Sequence, residues 1–145
     1  MLQSNELRYG NKVQTSEGEV ITIQQILSSS VIYDSQIKVN RELVNVRGSS
    51  KTTYTTEVME MVKETDFQDL HPIVLTPKVL EKCGLRNFVR EEWILTIGKH
   101  HIDFELIDGA LRLRGPYPGR ISIQYVHQLQ NLLFALTGYE LEVDM

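Results

Sequence analysis

The chain has 145 residues, 41% of them hydrophobic and 23% charged, with a formal net charge of −4. Nine Gly and four Pro among so many apolar residues exclude collagen-like, low-complexity and disordered chains and fit one compact domain or two very small ones. The slight acidity argues against non-specific nucleic-acid binding as the main activity, since that binding draws on clustered Lys and Arg.

Met1 to Glu6 carries no basic stretch and no apolar run, so no targeting segment is expected, and the densest apolar run, Leu132 to Leu136, is far short of the ~20 residues that cross a bilayer. Residues 1–47 read as a small antiparallel, barrel-like sheet of SH3 type. Leu7 and Tyr9 precede a turn at Gly10-Asn11, and Val13 and Thr15 lead to a second turn at Glu17-Gly18. Val20 to Ile26 follow, and then three short strands, Val31 to Tyr33, Ile37 to Val39 and Leu43 to Val46, divided by polar residues. Residues 48–70 read as a loop or linker, polar and small at Gly48 to Thr53, with Val58, Met59, Met61 and Val62 spaced for a short helix over Glu57 to Lys63.

Residues 71–145 read as helix, meander and helix, joined to the first part in one α+β unit. Thr76-Pro77 is an N-cap followed by Pro at the first helical position, and Gly84 closes a short helix from Pro77 to Cys83. Cys83 is the single cysteine, so no internal disulfide forms and a reducing, cytoplasmic setting is expected. A type I′ turn at Asp108-Gly109 pairs Ile107 with Ala110, Leu106 with Leu111, Glu105 with Arg112, Phe104 with Leu113 and Asp103 with Arg114. Gly98-Lys99 joins the preceding strand, Glu92 to Ile97, and sets Leu95 opposite Ile102 and Trp93 opposite Phe104. A slip of one residue would bury charge, which fixes this register. From Tyr125 to Thr137, Tyr125, Val126, Leu129, Leu132, Leu133 and Leu136 form an apolar helix stripe that Gly138 ends, and Glu140 to Val143 alternates as a short terminal strand.

Three groups of residues are candidate sites. Net charge is −3 from Met1 to Pro77, +2 from Lys78 to Arg120 and −3 from Ile121 onward, so only the middle is basic. Gly115 to Arg120 is a stiff Pro- and Gly-bracketed loop that would hold Tyr117 out beside Arg112, Arg114 and Arg120, a composition found at interface hot spots and at platforms that stack a base and neutralise a phosphate. The other reading is a plain rigid connector. His101, Asp103 and Glu105 share a strand face at i, i+2, i+4, the residue types of a divalent-metal site, but Arg114 and Arg112 across the hairpin would occupy both carboxylates, so no metal or other cofactor is expected. On the last helix, His127, Asn131 and Phe134 lie opposite the apolar stripe, and no charged residue occurs from Gln124 to Thr137. Such a face is either covered by the protein's own sheet, with His127 hydrogen-bonded, or meets a partner or a second copy. No P-loop, G-x-G-x-x-G, H-E-x-x-H or G-x-S-x-G motif occurs, so no catalytic residues are assigned and an enzyme is the less favoured reading.

Leu7-Arg8-Tyr9-Gly10-Asn11, Pro72-Ile73-Val74-Leu75-Thr76 with Gly84, and the long run from Tyr125 to Leu141 resemble the recurring L-R-x-G-N, P-I-x-L-T and Y-V-H-Q-L-Q-N-L-x-F-A-L-T-G-x-E-L of a family of small uncharacterised proteins from phages and prophages of Bacteroides-type gut bacteria. The chain departs from that pattern at Leu133, where an aromatic is usual, and at Val74, often Pro. The resemblance implies action in the cytoplasm of an infected or lysogenic bacterium and no catalytic residues. The expected function is a non-enzymatic binding module engaging a host or phage macromolecule, most simply a protein. The alternatives are a counter-defence protein that captures a nucleotide immune signal, an enzyme that degrades one, and a structural virion component. Nucleic acid and self-association remain open as partners, and a membrane is not expected.

Overall fold

Period-two alternation and left-handed glycines at turns and helix ends organise the described residues into two antiparallel sheets. The computed structural model describes residues 2–43, 53–114 and 121–145. The first sheet runs in the order β4-β3-β2-β1-β5, from β1 (Lys12–Thr15), β2 (Val20–Ile26), β3 (Ser30–Leu43), β4 (Thr53–Asp66) and β5 (Leu70–His71). It curls into a half-barrel over Leu2, Leu7, Val13, Ile21, Ile23, Val31, Tyr33, Phe67 and Leu70. A barrel-like antiparallel sheet is therefore present, but its boundaries differ from those read in the sequence. Leu7 and Tyr9 lie in no strand; a 3-10 turn at Ser4–Glu6 and a turn ending at Gly10 precede β1.

The three short strands expected after residue 30 are one strand, β3, as far as Leu43; residues 44–46 lie outside the described residues. No Gly or Pro interrupts residues 19–47, and the polar positions are alternate residues of a continuous ladder. The helix expected over Glu57 to Lys63 is instead strand, part of β4, which pairs with β3 from Ser30↔Asp66 to Leu43↔Thr53. Neighbouring apolar residues such as Val58-Met59 fit either period, and fourteen paired positions on β3 decide between them. The linker proper, 48–52, lies outside the described residues.

The second sheet runs β10-β9-β8-β7-β6, from β6 (Arg86–Asn87), β7 (Glu92–Ile97), β8 (His100–Ile107), β9 (Ala110–Leu113) and β10 (Ser122–Ile123). The meander register matches the expectation pair by pair from Leu95↔Ile102 and Trp93↔Phe104 to Ile107↔Ala110. Asp108 and Gly109 both have positive φ, 52° and 76°, as a type I′ turn requires. Two helices cover one face of this sheet. In α1 (Pro77–Lys82), Thr76 Oγ1 accepts from the Val79 N–H, and bonds from Gly84 N–H to Glu81 O and Leu85 N–H to Leu80 O close a Schellman end. In α2 (Val126–Thr137), Gln128 Oε1 accepts from the N–H groups of Gln124 and Tyr125, and Gly138 at φ 75° terminates the helix. The segment before α1 ties in through Leu75 N–H to Gln124 O and Val126 N–H to Ile73 O.

This second core packs Leu80, Trp93, Leu95, Phe104, Leu111, Val126, Leu129 and Leu133. The expected stripe on α2 is buried at Val126, Leu129 and Leu133 but open at Leu136, which is 51% exposed. The terminal strand expected at Glu140 to Val143 does not form. Leu141 drops into the core, and the Asp144 N–H reaches Lys82 O, so side-chain burial and one bond to α1 replace a ladder. Truncating Leu133 should cost about 3 kcal/mol, whereas Leu136→Ala should cost under about 0.5 kcal/mol. Urea unfolding of the two variants measures this, and equal losses would contradict the orientation of α2.

Candidate functional site

The two helices cover only the inner face of the second sheet, and the outer face carries the functional candidates of the meander. Alternation brings Glu92, Ile94 and Thr96 of β7, His101, Asp103 and Glu105 of β8, and Arg112 and Arg114 of β9 and its end to that face. Arg114 does not pair with the Asp103 carboxylate, as the register suggested. Its backbone N–H bonds Asp103 O at 2.9 Å, while its guanidinium reaches Glu92 Oε1 at 2.7 Å and Glu105 Oε1 at 3.1 Å. A long side chain spans diagonal neighbours as readily as direct ones, and two carboxylates attract it more than one. Arg112 lies opposite Glu105 in the ladder, is exposed, and forms no ion pair among the described residues. Tyr117 and Arg120, the other members of the expected Arg/Tyr cluster, lie outside the described residues.

Two of the three weak metal candidates make other bonds. His101 Nδ1 lies 3.0 Å from Thr96 Oγ1, Glu105 is held by Arg114, and no three metal-ligating side chains are arranged to hold a metal ion among the described residues. Burial pushes the Cys83 thiol up to about 11, so it stays protonated and unreactive at neutral pH.

At the edge of this face the structure adds residues that the sequence reading missed. Asn87 Nδ2 donates to Arg90 O at 2.9 Å and Glu92 O at 3.2 Å, and the Phe88 N–H bonds Glu92 O at 2.9 Å. Arg90 adopts φ 51°, a conformation that costs a non-glycine residue about 1 kcal/mol and is held here by those bonds. The fixed loop leaves Phe88 68% and Val89 49% exposed. Phe88 borders a half-open groove of about 560 Å³ with Gly84, Arg86, Asn87, Ile94 and Thr96. The signal in the sequence was an apolar pair set between Asn87 and Arg90-Glu91-Glu92.

The uncharged face of α2 turns toward the protein's own first sheet. Gln130 Oε1 accepts from the Lys12 N–H at 2.8 Å and its Nε2 donates to Gly10 O at 3.1 Å. Asn131 Oδ1 accepts from Arg8 Nε at 3.1 Å and Asn11 Nδ2 at 2.8 Å, and its Nδ2 donates to Glu6 O at 3.0 Å. Arg8 also pairs with the Glu140 carboxylate and lies over the Phe134 ring, 4.3 Å from its centroid. Asn131 is thus bonded within the chain, while Phe134 lies under Arg8 and stays 41% exposed. His127 is buried as expected but not hydrogen-bonded: it is 1% exposed and neither ring nitrogen has a partner among the described residues.

Asn131→Ala removes the partner of two part-buried donors, Arg8 Nε and Asn11 Nδ2, and should cost about 1–3 kcal/mol. Arg114→Ala breaks a half-exposed, solvent-screened pair of contacts and should cost under about 1 kcal/mol. Chemical denaturation of the two variants compares them, and the opposite order would make the outer-face cluster, not the α2 seam, the structural one. Comparison of the chain with protein-family models, curated proteins and solved structures finds no match to any of them.

Proposed function

We propose that the chain is a non-enzymatic, phage- or prophage-encoded binding module that engages a host or phage macromolecule in the bacterial cytoplasm. The observation that carries this reading is the Phe88-Val89 pair, held into solvent beside a half-open groove at the edge of a sheet face that no helix among the described residues covers. Large apolar side chains presented by a preorganised backbone lose little conformational entropy on binding, which is what makes an interface anchor effective. Arg86 on the groove wall and Arg112 further along the sheet supply a polar rim.

In the same reading the first sheet is an SH3-like barrel, supported by its five curled antiparallel strands, and serves as the scaffold that holds α2. A protein partner is favoured over a captured nucleotide because Arg114, the residue best placed to take a phosphate, already carries two carboxylates. Among the described residues no helix is long and apolar enough to cross a membrane, in keeping with an aqueous partner.

Affinity capture from a Bacteroides-type host, with and without phage, compares wild-type and Phe88→Asp baits of equal thermal stability. Proteins retained by the wild type and lost by the variant are expected; identical retained sets would overturn the assignment of this face. Thermal shift against cyclic di- and oligonucleotides should show no change, and a rise of several degrees abolished by Arg114→Ala would instead support nucleotide capture.

A further inference from the structure

The two sheets bury separate apolar cores, and the bonds of Arg8, Gln130, Asn131 and Glu140 form a polar seam between the segment before β1 and α2. His127 sits on the same helix face, one turn before Asn131, with both ring nitrogens buried and without partners among the described residues. Its ring stacks on Tyr125, the centroids 5.9 Å apart and the planes 9° from parallel. Of the charged groups on the facing segment, Glu6 of the N-terminal turn acts on its ring, while Arg8, paired with Glu140, and Lys12, whose backbone N–H is bonded to Gln130, meet the same seam. The second sheet packs α2 with Phe104, Leu111 and Ile123, none of them titratable.

A neutral imidazole tolerates this site at modest cost, but an imidazolium would place two N–H donors and a charge where no acceptor waits. We propose that protonation of His127 opens the seam, letting the first sheet separate from α2 while each unit keeps its own core. The closed form binds the proton less well than the open form, because burial holds the His127 pKa below its ordinary value, with Glu6 only partly opposing it. Linkage then leaves the seam fully closed above about pH 6.5, the ordinary histidine value. It weakens as pH falls from there toward the lowered value of the closed form.

Amide hydrogen exchange, corrected for intrinsic rates, reads the seam at the Lys12 N–H and the second core at the amides of Phe104 and Leu95. Between pH 7.5 and pH 5 protection at Lys12 should fall at least tenfold while the second-core amides change less than twofold. His127→Phe should abolish the pH dependence, and His127→Gln serves the same purpose should the larger ring fail to fit. A variant lacking His71, His100 and His101 should retain it. Equal loss of protection at the seam and in both cores, or a pH dependence that survives removal of His127, would overturn the proposal.

Discussion

The side-chain amides of Gln130 and Asn131 bind the main chain of residues 6–12 much as an adjacent strand would, and the placement of the two sheets depends on that. One amide accepts from the Lys12 N–H and donates to Gly10 O, which satisfies backbone groups next to β1 that burial would otherwise leave unpaired. The other gathers Arg8, Asn11 and the Glu6 carbonyl. Each bond is modest alone, but breaking one leaves its partners unpaired at the seam, so the network is held as a set. Apolar contact would join the sheets with less geometric demand; amide pairing fixes their register as well as their contact.

Three segments far apart in the chain converge on this arrangement. Arg8, Gly10 and Asn11 meet Gln130, Asn131, Phe134 and Glu140, while Ile73 and Leu75 bond across Gln124 and Val126 at the start of α2. Residues 120 or more positions apart in the chain are hydrogen-bonded neighbours. These residues thus hold the two sheets and the last helix together. The outer face of the second sheet, with Phe88, Arg86 and Arg112, shares almost none of them. The residues that join the two sheets and those of the outer face are thus largely separate sets, so the outer face can be substituted with little effect on the fold.

Legibility in the sequence followed how local the deciding interactions are. The meander from Glu92 to Arg114 could be registered in advance because two short turns and strict alternation leave one arrangement that keeps charge out of the core. The capping of α1 by Thr76, Pro77 and Gly84 was equally local. The length of β3 and the strand character of β4 were not, since polar residues at alternate positions resemble interruptions until the partner strand is known. Phe88 and Val89 gave only a faint signal, because exposure of an apolar pair depends on the fold of the loop around it.

The amino-acid sequence by itself determined an α+β chain with a barrel-like start, a fixed three-stranded meander and a terminal helix free of charge. Tertiary structure alone decided what that missing charge meant. A helix face without Lys, Arg, Asp or Glu could have met a partner, a second copy or the chain itself, and periodicity is the same in all three cases. The distinction rests on backbone groups near β1 that come within hydrogen-bond reach of Gln130 and Asn131 only once both sheets have formed.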